Sequence, residues 1–129
     1  TTTLTDINCG SVTLDSGTLS LGTFNLTTAS TFVSQQPVTT ARGITGTGTI
    51  TINAGGISIS GGDNVVITPQ INLVYTGIYS VSIYLGNATV GTLTVSAPAG
   101  IDVSFFNSGK YYDLQAIAPT NKITFCLFL

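Results

Sequence analysis

Apolar residues in this chain recur at every second position and nowhere at a helical spacing of useful length, so its structure must be built from strands. Ile50, Ile52, Ile57 and Ile59 alternate with threonine and serine, which marks them as a buried set. Val81, Ile83 and Leu85 share one side of the cleanest strand with Tyr79, while Ser80, Ser82 and Tyr84 share the other. The closing stretch behaves differently. Ile123, Phe125, Leu127 and Leu129 face one way and Thr124, Cys126 and Phe128 the other. The second side is also largely apolar, so this strand should be covered on both faces.

Turn-forming clusters separate the alternating runs: Asp15-Ser16-Gly17, Asn53-Ala54-Gly55-Gly56, Gly86-Asn87, Ala97-Pro98-Ala99-Gly100 and Asn107-Ser108-Gly109-Lys110. Gly86-Asn87 reads as a hairpin. Pro69 interrupts another run and suits an edge or a corner. Many short strands about ten residues apart, with no evident tandem repeat, predict an all-β fold, a jelly-roll-type antiparallel β-sandwich. The expected organisation is an extended N-terminal connector over residues 1–14 and a single sandwich domain over residues 15–129.

Composition narrows the function classes. Charged residues make up 6% of the chain, against roughly 25% in an average protein. A surface this neutral is either a carpet of threonine, serine and asparagine or is buried against other subunits. Twenty-three threonines favour the first and the apolar ends the second. The net charge of −2 comes with no basic patch, which argues against nucleic acid as a partner. No apolar run is long enough for a helical membrane span. Low charge, abundant threonine and two cysteines point to an extracellular or cell-surface location, or to a virion.

Catalytic chemistry finds few ingredients. There is no histidine and no glutamate. A serine–lysine pair would need Lys110 or Lys122, both in turn-like contexts, and the five aspartates are scattered near strand ends. The chain lacks ligands for a zinc or iron site, and the single carboxylate of Gly61-Gly62-Asp63 is too little for calcium. The expectation is a protein that is not an enzyme and holds no cofactor or metal. Tyr75, Tyr79, Tyr84, Tyr111 and Tyr112 could serve as a sugar platform, although tyrosine is equally a strand residue. Asn25-Leu26-Thr27 and Asn87-Ala88-Thr89 are glycosylation sequons, making Asn25 and Asn87 candidate glycan sites.

Cys9 and Cys126 lie near opposite ends. Two readings stay open: an intrachain disulfide tying the first strand to the last, or a bond between subunits. The extended leader containing Leu4, Ile7, Val12 and Leu14 is a candidate donor strand for a neighbouring copy, because main-chain hydrogen bonds and alternate side chains suffice for such recognition.

Gly77-Ile78-Tyr79-Ser80-Val81-Ser82-Ile83 resembles the glycine-x-tyrosine-x-valine strand of TNF/C1q-like domains. Val90 to Val95, Ile101 to Phe106 and Phe125-Cys126-Leu127 look like the jelly-roll subunits of bacterial endospore appendages. The resemblance covers residues 77–129. It implies a fibre of stacked sandwiches with an N-terminal connector, in which Cys9 would be the connector cysteine and Cys126 an acceptor. The leader departs from the pattern by lacking paired cysteines. The resulting expectation is a self-assembling structural subunit of an extracellular filament or surface appendage. A viral capsid decoration or fibre-head domain is the alternative, and a trimeric TNF/C1q-like ligand-binding module the third.

Overall fold

A computed structural model describes residues 5–35, 40–53, 56–60, 64–79, 81–86, 88–107, 113–115 and 122–127. Its strands are β1 (Ile7–Cys9), β2 (Val12–Thr13), β3 (Gly17–Ser20), β4 (Leu26–Thr28), β5 (Phe32–Gln35), β6 (Arg42–Thr45), β7 (Thr49–Asn53) and β8 (Ile57–Ser60). They continue as β9 (Val65–Ile67), β10 (Gln70–Val74), β11 (Val81–Gly86), β12 (Thr89–Val90), β13 (Thr92–Ser96), β14 (Asp102–Asn107), β15 (Asp113–Gln115) and β16 (Lys122–Leu127).

Every pairing among these strands is parallel. The first face has the order β1-β4-β7-β10-β13-β15, the second β16-β14-β11-β8-β5-β2 and the third β12-β9-β6-β3. From β1 to β11 each strand thus pairs with the one three places later in sequence, as a chain does when it winds as a three-sided β-solenoid, while β13 pairs with β15 and β14 with β16. There are about 4 turns. Beyond them β13 to β16 continue the first two faces only.

This overturns the expected antiparallel jelly-roll sandwich. The alternation that suggested strands is real: Ile50, Ile52, Ile57 and Ile59 are all buried. What misled was the turns. The chain does not double back between β7 and β8: β7 lies on the first face and β8 on the second. β11 and β12 likewise lie on different faces, the second and the third. A period of two says which side chains go inside, and it is the same for a strand that turns a corner as for one that doubles back.

The core is a set of inward columns running along the solenoid axis. Ile7, Leu26, Ile50, Ile71 and Leu93 are in register on the first face, recurring roughly every 22 residues, a solenoid period. Cys9, Thr28, Ile52, Leu73 and Val95 form a second column beside them. On the third face Leu19, Ile44 and Ile67 stack. Most of these side chains are fully buried. A parallel stack puts like beside like, and β-branched and γ-branched side chains repeat well at the strand spacing.

Among the described residues one charged side chain enters this interior. Arg42, 2% exposed, opens β6. Its Nε donates to Ser34 Oγ and its Nη1 to the Thr40 carbonyl at 2.9 Å. The Ser34 hydroxyl in turn donates to the Leu14 carbonyl at 2.8 Å. A buried charge is tolerated only where its donors are matched. Ser34→Ala removes an acceptor from the guanidinium and a donor from Leu14. It is expected to lower stability by about 2 kcal/mol, read as a lower urea midpoint with an unchanged slope, whereas Ser82→Ala on the exposed outer side of β11 should leave the midpoint in place.

Candidate functional site

The first face turns a regular array of neutral polar side chains outward. Because Leu26, Ile50, Ile71 and Leu93 point into the core, their neighbours on each strand must point out. One outward column reads Asn8, Thr27, Thr51, Asn72, Thr94 in register. Two residues earlier on each strand, Thr49 and Gln70 are paired, with Thr92 in line one position before the Ile71–Leu93 pair. Neighbouring strands lie about 4.8 Å apart and alternate residues about 6.6 Å apart along a strand. The result is a two-dimensional lattice of hydroxyl, methyl and amide groups.

Hydrogen bonds hold parts of the lattice in place. The Gln70 amide nitrogen donates to Asn72 Oδ1 at 2.8 Å and to Thr94 Oγ1 at 3.4 Å, which lays the amide along the sheet. At the border, Asn25 Oδ1 accepts from the Thr49 amide at 2.9 Å, and Asp6 Oδ1 accepts from the Asn25 amide at 2.9 Å. All of these links except Gln70–Asn72, which lies within β10, join one turn of the solenoid to the next. Thr27, Thr49, Thr51, Asn72, Thr92 and Thr94 are half-buried by their own neighbours, as expected for a closely packed flat surface.

The residues singled out from sequence fall elsewhere. Ile7 is half-buried opposite Leu26, Val12 lies in register with Phe32, and Leu14 is buried with its amide bonded to the Val33 carbonyl at 2.9 Å. The donor candidates therefore form the first turn of their own solenoid; Leu4 lies outside the described residues. Asn25 is exposed at the border of the lattice, and Asn87 lies outside the described residues.

The intrachain reading of the disulfide is corrected. Cys9 is a free, half-buried thiol that donates to the Thr27 carbonyl at 3.7 Å. It belongs to β1, the first layer of the stack, while Cys126 belongs to β16, in the sixth layer of the second face. Five strand spacings amount to about 24 Å, and a disulfide needs Cα atoms within about 7 Å. Winding, rather than chain order, sets that separation.

Of the tyrosines, Tyr79 is exposed between β10 and β11, Tyr84 is exposed on the outer side of β11 and Tyr75 packs partly against the core. Tyr111 and Tyr112 lie outside the described residues. Among the described residues no group of three or more His, Cys, Asp or Glu comes together, and no helix is long and apolar enough to cross a membrane. The outward lattice was missed from sequence. Its local traces, Thr49-Ile50-Thr51 and Thr92-Leu93-Thr94, look like any half-exposed strand until the register aligns them.

No family model, curated protein or solved structure matches the chain.

Proposed function

We propose that this protein is a structural subunit of an extracellular filament or surface appendage, and that copies join by β-strand addition at the edge of the first turn. The observation that carries the reading is the direction of the backbone groups in that turn. The Ile7 amide bonds to the Asn25 carbonyl at 2.9 Å, and the Cys9 carbonyl accepts from the Ala29 amide at 2.9 Å. The Val12 and Leu14 amides bond to the Thr31 and Val33 carbonyls at 3.1 and 2.9 Å. In a parallel ladder successive residues address opposite sides, so Asn8 and Thr13 direct their main-chain groups away from β4 and β5. Among the described strands, β1 and β2 each pair on one side only.

Such edges are templates for another chain, and a solenoid is a one-dimensional stack that can be continued by adding layers. The near-neutral composition, 6% charged, favours close packing between copies and an extracellular setting. The N-terminal segment keeps the joining role expected from sequence, now as the receiving edge of a stack. Likeness to endospore appendage subunits is on this reading one of role.

Electron microscopy of the purified protein tests the proposal. Filaments are expected, with a fibre-diffraction repeat of about 4.8 Å along their length. Asn8→Pro combined with Thr13→Pro removes two edge donors and adds rings to the edge without touching the bonds to β4 and β5. That variant should fold and remain as single subunits. Filaments of undiminished length from it, or none from the parent chain, would refute the proposal.

A further inference from the structure

We infer that the outward lattice of the first face is a binding surface for ice. A crystalline surface presents the same group at fixed intervals in two directions, and a protein complementary to it needs the same property. Thr27, Thr51, Asn72 and Thr94 provide one row and Thr49, Gln70 and Thr92 the second, with a repeat of about 4.8 Å across the strands. That repeat is close to the oxygen spacing on the faces of hexagonal ice.

Chemistry distinguishes ice from other occupants. The seven side chains of these rows are not ionisable and so do not select a charged partner; Asp113, next in register beyond Thr92, bounds the second row. The two rows carry no aromatic ring, the usual platform for a sugar; of the exposed tyrosines, Tyr84 lies on the second face and Tyr79 follows the end of β10. Threonine instead offers a methyl group and a hydroxyl side by side on a stiff χ1, which can hold water in an ordered layer at little entropic cost. The amide of Gln70, bonded to Asn72 and Thr94, lies along the sheet rather than projecting from it. A patch four or five strands wide covers on the order of 400 Å², about half of what each partner in a stable protein–protein complex buries. The area is too small for a lasting dimer, yet every square ångström of it can meet an extended crystal face.

The experiment grows a single ice crystal slowly from dilute full-length protein and measures the protein taken into the ice relative to an inert protein of similar size. Four variants accompany the parent chain. Thr51→Tyr and Thr94→Tyr each place a ring on the flat face; Thr51→Val removes only a hydroxyl and keeps the shape; Thr89→Tyr places a ring on the third face. Circular dichroism establishes that each remains folded. Uptake well above the inert protein is expected for the parent and Thr89→Tyr, with loss to the inert level for the two tyrosine variants of the first face and a partial loss for Thr51→Val. The inference is overturned if the parent is excluded from ice, if both first-face tyrosine variants are taken up as well as the parent, or if Thr51→Val and Thr89→Tyr lose uptake equally. Retention on crystalline cellulose or chitin in place of ice would overturn it in favour of a polysaccharide. None of these outcomes depends on whether the protein forms filaments, because a variant blocked at Asn8 and Thr13 keeps every residue of the two rows, which begin at Thr27 and Thr49.

Discussion

Gly48→Ala is expected to lower the stability of this protein by on the order of 4 kcal/mol, a large share of the roughly 5–15 kcal/mol that holds a domain together. Gly48 is buried just before β7, where the third turn of the solenoid passes the corner of the second. A Cβ at this position would fall on the Phe24 carbonyl oxygen and lie 2.7 Å from the Phe24 carbonyl carbon. Both are backbone atoms, and neither is free to withdraw. The Phe24 amide bonds to the Leu21 carbonyl at 3.1 Å, the Thr47 amide to the Gly22 carbonyl at 2.8 Å and the Thr49 amide to Asn25 Oδ1 at 2.9 Å. Making room for one methyl group therefore means opening the lacing between two turns. Urea unfolding followed by circular dichroism reads the loss as a shifted midpoint. Gly10→Ala is the internal control, because nothing lies within 4 Å of its built Cβ. Restricting the unfolded chain there should leave stability unchanged or raise it by about 0.5 kcal/mol.

Phe32→Ala is the second large effect, with an expected cost of about 3–5 kcal/mol. Phe32 is 1% exposed and sits in register between Val12 and Ile57. In many cores a deleted ring is partly filled by neighbours moving in. Here the residues on either side belong to adjacent layers whose spacing is fixed by main-chain hydrogen bonds, so the cavity stays open. Phe32→Leu, which keeps most of the volume, should cost distinctly less. Because each layer of a solenoid touches only its neighbours, the damage is local. Hydrogen exchange should show lost protection in β1 to β6 while β10 to β14 keep most of theirs. Uniform loss across all turns would show instead that the stack unfolds as one unit.

Both effects arise from stacking, which was the part of the structure hidden from sequence. Individual strands were legible. The alternation of Ile50, Ile52, Ile57 and Ile59 with polar residues marked strands and their inner sides, and those four side chains are buried as expected. Glycine-rich breaks were legible as places where the chain changes direction. The angle of that change was not. A corner of a solenoid and a hairpin use the same small and polar residues, and the chain between β7 and β8 passes from the first face to the second. A repeat would have given the answer, but insertions at the corners vary the spacing between Ile7, Leu26, Ile50, Ile71 and Leu93, and the residues in a column are alike in kind only.

The candidate face was hidden for the same reason. Thr49 and Thr51 become neighbours of Gln70, Asn72, Thr92 and Thr94 only when three successive turns are laid in register. The buried Arg42 is a further case. In sequence it is an ordinary cation after a threonine-rich stretch; in the fold it closes an inner network with Ser34, Thr40 and Leu14.

By itself, then, the sequence determined that this protein is made of strands, which side chains they bury, and that its surface is nearly free of charge. Those properties follow from local chemistry: a two-residue period and a composition. Tertiary structure decided that the strands run parallel, that Cys9 and Cys126 stand about five layers apart, and that scattered threonines and asparagines line up as a lattice. These depend on which strand lies beside which, a choice made by hydrogen bonds between residues about 22 positions apart. Short-range pattern carries no record of that choice.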